Sequence, residues 1–100
     1  MRLSVPAKDR ESWLIAEKLS WEPWLNNQEG FLGRQLFWDS KTQEAVILIA
    51  WSNRTYWKRI PQAEINDIQV LFEKVARDKI GVKEGNPFPI QFAGELLPQK

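Results

Sequence analysis

The chain has 100 residues, 14 of them basic and 13 acidic, for a formal net charge of +1. That balance gives no electrostatic footprint for nucleic acid or an anionic membrane surface. Cysteine and histidine are both absent, which excludes disulfides, thiol nucleophiles, Ser-His-Asp triads and metals held by His or Cys.

The length suits one domain over residues 1–100, burying roughly 60–70% of the surface of the unfolded chain. Six tryptophans and five phenylalanines exceed what a minimal core of this size needs, since each buried ring removes on the order of 150–250 Å² from water. Part of that aromatic surface is expected in a partner interface or a ligand cavity. The lack of cysteine agrees with a cytoplasmic location. The opening Met1–Pro6 lacks the apolar core of a signal peptide. The longest apolar run, Ala45 to Trp51, is far short of the ~20 residues that span a bilayer, so no membrane partner is expected.

In chain order, Leu3–Val5 reads as a short strand ended by Pro6. Ala7–Asn27 reads as a helix with Trp13, Leu14, Ile15, Leu19, Trp21, Trp24 and Leu25 as its apolar set. Pro23 lies inside it and predicts a kink or restart near Trp21. Phe31–Asp39 alternates as a strand, with Leu32, Leu36 and Trp38 on one face and Phe31, Gln35 and Phe37 on the other. Asp39–Gln43 is a polar hairpin loop. Glu44–Trp51 returns, apolar on both faces, with Ala45, Ile47, Ile49 and Trp51 against Val46, Leu48 and Ala50, the pattern of a strand covered on both sides.

Ser52 is the expected N-cap of a short helix, Asn53–Arg59. Pro61 suits the first turn of a second helix running to about Lys79, with Ile65, Ile68, Leu71, Phe72 and Val75 on one stripe and Gly81 ending it. Phe88–Leu97 is a last strand with Phe88, Ile90, Phe92 and Leu96 on one face. Gly30 and Gly33 serve a tight turn and close strand packing rather than a phosphate loop, because no helix follows them.

The order β-α-β-β-α-β is the split βαβ pattern: an α+β, ferredoxin-like domain with a four-stranded antiparallel sheet. Two helices cover only one face of such a sheet, yet Glu44–Trp51 makes the other face apolar as well. That face needs another layer, and a second copy of the chain is the simplest one, giving a homodimer.

Trp21 and Leu25, Gly30-Phe31-Leu32-Gly33, Trp38, Trp51-Ser52-Asn53-Arg54 and Trp57-Lys58-Arg59-Ile60-Pro61 together resemble the dimeric α/β-barrel superfamily that includes the antibiotic-biosynthesis-monooxygenase-like domains, and within it a small cyanobacterial family. The resemblance spans nearly the whole chain and implies a homodimeric α/β barrel. Related chains carry several more residues before the segment equivalent to Leu3–Val5, so either the start lies upstream or this member tolerates a short first strand. Haem-degrading members hold iron through a histidine, which this chain lacks, and no cofactor is expected. Cofactor-free members supply an apolar cavity, an orienting amide or indole and a proton acceptor.

Candidate ligand-binding residues are Trp21, Trp24, Trp38, Trp51, Tyr56, Trp57 and the amide of Asn53. Asn26 and Asn27 are further amide candidates. The plainer reading makes the rings core and dimer interface. Asp39, Glu44 and Glu95 are the strand-associated carboxylates, general bases if buried and otherwise solvated charges. Arg54, Lys58 and Arg59 form a basic cluster that suits a ligand carboxylate or phosphate, or simply a solvated helix face. No catalytic residue emerges. The functional expectation is a monooxygenase-like protein binding a small apolar or aromatic ligand in a Trp-lined cavity, with cofactor-free oxygenase activity as its extension. The alternative is a non-catalytic homodimeric structural or regulatory module.

Overall fold

The computed structural model describes residues 1–97 and Gln99; Pro98 and Lys100, at the end of the expected domain, lie outside the described residues. Strands β1 (Arg2–Ser4), β2 (Phe31–Asp39), β3 (Glu44–Trp51) and β4 (Ile90–Phe92) form one sheet in the order β2-β3-β1-β4. Every pairing is antiparallel. Helices α1 (Arg10–Leu19), α2 (Trp21–Asn26), α3 (Arg54–Lys58) and α4 (Gln62–Ile80) complete the α+β fold, with a single 3-10 turn at Ala7–Asp9. The arrangement is compatible with a ferredoxin-like fold.

The expected helix Ala7–Asn27 is three pieces. It breaks at Ser20, whose φ of −122° and ψ of −78° are not helical. The buried Ser20 hydroxyl donates to the Ala16 carbonyl at 2.6 Å, satisfying the end of α1. Restarting at Trp21 puts Pro23 in the first turn of α2, where its missing N–H is not needed.

The β2–β3 hairpin matches its expected bounds. Trp38, Leu36 and Arg34 pair with Ala45, Ile47 and Ile49, so these six share the face toward the helices. Leu32 does not join them. An irregularity between Phe31 and Gly33 interrupts the ladder, and Leu32 is 68% exposed. The opposite face carries Phe37, Val46, Leu48, Ala50 and, through its pairing with Arg2, Phe92. Val46 and Leu48 are half-buried while Phe37, Ala50 and Phe92 are exposed, so within one chain β3 is covered on one side only.

Asn53, not Ser52, caps α3: its Oδ1 accepts from the Thr55 amide at 3.0 Å. Ser52 is held in the strand end instead, its amide donating to the Gly30 carbonyl at 2.8 Å. α4 runs to Ile80 and stops at Gly81, left-handed at φ 89°. Its inward stripe holds Ile65, Ile68, Phe72, Val75 and Ala76, but Leu71 faces out. The last strand is three residues rather than ten. Phe88 is fully buried before it, and Leu96 and Leu97 are exposed beyond it. A three-residue β1 offers no longer partner, and Pro89 lacks an N–H for the ladder.

The core lies between the helices and the sheet. Trp13 and Ala16 of α1, Phe72 and Ala76 of α4, and Phe88 pack on Leu3, Val5, Ala45 and Ile47. Among the described residues no helix is long and apolar enough to cross a membrane.

Candidate functional site

One end of this core is not filled. Met1, Leu3, Trp21, Leu25, Ile47, Ile49 and Phe72 line a cavity of about 40 Å³ between the sheet and the helices, and three polar side chains join them: Glu17 of α1, Arg34 of β2 and Gln69 of α4. Five of the lining residues, Met1, Trp21, Arg34, Ile49 and Gln69, also reach solvent.

Glu17 and Arg34 are the chemical feature of this cavity. α1 presents Trp13, Ala16, Glu17 and Ser20 inward, so a carboxylate occupies the stripe that helical spacing assigns to the core. β2 presents Arg34 on the same inward face as Leu36 and Trp38. The Glu17 side chain is 1% exposed and that of Arg34 10%. Arg34 Nη1 donates to both Glu17 carboxylate oxygens, at 3.3 and 3.4 Å, and Nη2 donates to the Glu17 main-chain carbonyl at 3.4 Å.

Burial pushes the Glu17 carboxyl up to about 7, against the opposing pull of the Arg34 guanidinium; the negative charge of Glu22 on α2 adds to the rise. A carboxyl in that range exchanges a proton near neutral pH.

The residues singled out from the sequence are dispersed. Trp21 lines the cavity, meeting Trp24 edge-to-face at 5.7 Å. The Trp24 indole donates to Glu64 at 2.9 Å and ties α2 to α4. Trp38 donates to the Val5 carbonyl at 3.0 Å, with the Arg10 guanidinium 5.4 Å from its ring. Trp51 stacks edge-to-face on Phe31. Tyr56 lies against Gly30 and under Arg59, and Trp57 under Lys58. Asn53 is the cap of α3, and Asn26 and Asn27 are exposed at the end of α2.

The basic cluster does gather: Arg54, Lys58 and Arg59 surround one open surface concavity with Thr55. Two of its charges are already engaged, Arg54 with Glu95 and Arg59 with Glu29, each at 2.7 Å. The strand-associated carboxylates are all outside the cavity. Asp39 is held below its usual range by the amides of Lys41 and Thr42, Glu44 pairs with Arg2, and Glu95 with Arg54.

Glu17, Arg34 and Gln69 went unrecognised in the sequence. The available signal was one acid on the apolar stripe of a helix and one base on the inward face of a strand, a complementary pair once the two faces meet. Among the described residues, no group of three or more acidic side chains could hold a metal. No protein-family model, curated protein or solved structure matches the chain.

Proposed function

We propose that this protein binds a small, mainly apolar molecule between its helices and its sheet, as a homodimer joined through the outer face of the sheet. The observation that carries the binding site is the Glu17–Arg34 pair in the wall of an otherwise apolar cavity. Such a pair is a poor device for stability, because apolar residues of similar volume usually do as well or better. A carboxyl displaced toward neutrality in a cavity is a mark of function instead. The Trp21 indole, the Gln69 amide and Glu17 match in kind the orienting groups and proton acceptor of cofactor-free oxygenase chemistry. Oxygen uptake in the presence of a bound ligand tests that extension.

Support for the dimer comes from the apolar residues of the outer face, Phe37, Val46, Leu48, Ala50 and Phe92, which the chain's own helices do not cover. A second reading, the non-catalytic module, draws on the small volume of the cavity and on Trp24, Trp38 and Trp51 being occupied inside the fold.

A native mass spectrum of the protein as purified separates these readings. A dimer carrying extra mass is the expected result. A dimer without it moves the assignment to the non-catalytic module, and a monomer overturns the association through the sheet.

A further inference from the structure

Resting on the ligand-binding reading of the cavity, we infer that its ligand is a small apolar carboxylic acid, held as the carboxylate on Arg34 while Glu17 takes up a proton.

The first support is the incomplete engagement of Arg34. Its three hydrogen bonds to Glu17 are 3.3 to 3.4 Å long, whereas charge-assisted bonds usually close to about 2.7–2.9 Å. Two exposed arginines of the same chain do close, each at 2.7 Å. A guanidinium offers five donors in a planar fork. Among the described residues, those three long bonds are all that the Arg34 side chain makes. A carboxylate is the anion whose two oxygens match that fork side by side.

The second support is charge balance. The charged or titratable groups facing Glu17 are Arg34 from β2 and Glu22 from α2. Met1 is on the cavity wall, but its amine is directed to the Ile47 carbonyl at 3.1 Å and is not among the charges acting on Glu17. From α4 the wall receives Gln69 and Phe72, neither of them charged. A ligand carboxylate beside Glu17 would put two negative charges on one guanidinium in apolar surroundings, which is costly. One proton restores neutrality, and Glu17, already pushed up by burial, is the group that takes it.

The third support is size. The cavity is about 40 Å³, well below the roughly 150 Å³ that accommodates benzene. The carboxylate and its first carbons fit inside, and the rest of the chain extends past Ile49 and Gln69, where the wall reaches solvent.

The test is calorimetric titration of the intact protein with hexanoate and, separately, with hexanamide. At pH 8, titration in phosphate and in Tris reads proton uptake directly. The expected result is binding of hexanoate and not hexanamide, with uptake of close to one proton. The Kd should weaken about tenfold per pH unit above 7, because only the fraction of protein with Glu17 protonated is competent. Glu17→Gln should bind hexanoate at pH 8 about tenfold more tightly than the unaltered chain, without proton uptake and with a flat pH profile. Equal binding of hexanamide overturns the carboxylate assignment and leaves the cavity a ligand site. Hexanoate binding without proton uptake, measured on the unaltered protein, overturns the role of Glu17. Failure of hexanoate in a protein that retains some other compound overturns the acid class alone. Failure with no retained compound overturns both this inference and the ligand-binding reading beneath it.

Discussion

The ring of Tyr56 occupies the space that a side chain would need at Gly30. Gly30 is left-handed at φ 82°, and a Cβ built there would overlap the Tyr56 ring atoms. Its carbonyl receives the Ser52 amide, so one residue fixes the entry to β2, the end of β3 and the start of α3. Gly30→Ala combines a left-handed conformation, roughly 1–2 kcal/mol for a residue with a Cβ, with that overlap. The expected loss is about 2–4 kcal/mol, read as a lower urea midpoint at unchanged slope. In a Tyr56→Ala background the same change should cost only the conformational part. Strict additivity of the two substitutions would show that the ring is not the cause.

Two indoles with similar hydrogen bonds should respond differently to the same substitution. Trp38 donates to the carbonyl of Val5, a residue with no exposure, and Trp24 donates to Glu64 at an exposed site. Trp38→Phe leaves a buried carbonyl short of its donor, at about 1–3 kcal/mol. In Trp24→Phe water replaces the lost partner, and the cost should stay below ~1 kcal/mol. Chemical unfolding of both variants gives the comparison. Equal losses would mean that ring volume, not the hydrogen bond, sets the effect.

Much of the architecture was legible because it is written in local pattern. The polar Asp39–Gln43 between two alternating apolar runs marks the hairpin, and Gly81 marks the end of α4. Boundaries failed where a tertiary contact decided them. Ser52 lost the cap to Asn53 because its amide is used by Gly30. The last strand is short because β1 is short. Leu71, four residues before Val75, looked inward by spacing, yet the adjacent Phe72 holds the core position. The candidate site was the least legible part. Glu17 and Arg34 are each ordinary on their own element and meet only when α1 lies across β2. Of the six candidate ligand-binding rings, Trp21 alone lines the cavity.

Glu17 should make stability depend on pH in a defined direction. In the unfolded chain its carboxyl titrates near 4.5, and in the folded chain near 7. The folded state therefore binds the proton more tightly. The stabilisation linked to this proton is fully present below pH ~4.5, declines as pH rises, and is gone above pH ~7, a change of at most about 3 kcal/mol. Urea unfolding at intervals from pH 5 to 8, compared between the unaltered chain and Glu17→Gln, isolates this group from the other carboxylates. The difference between the two should change from pH 5 to about 7 and level off above that. A constant difference would place the Glu17 titration outside it.

The proposed dimer makes the outer sheet face testable without touching the cavity. Leu48 lies opposite Gln35 on that face and is half-buried within one chain. In an isolated subunit, Leu48→Arg extends its stem over the sheet and reaches water, costing little beyond partial loss of apolar contact. In a two-fold pairing of sheets, the substitution presents a charge to an apolar surface of the partner. Association should then weaken at least a hundredfold, about 3 kcal/mol. Sedimentation equilibrium should show a dimer for the unaltered chain and a monomer for Leu48→Arg at the same concentration, with circular dichroism unchanged. A variant that stays dimeric would move the interface off this face. A monomeric unaltered chain would mean that Phe37, Val46 and Phe92 stay open to solvent, and the homodimer would have to be abandoned while the Glu17–Arg34 cavity, lined by residues of one chain, is unaffected.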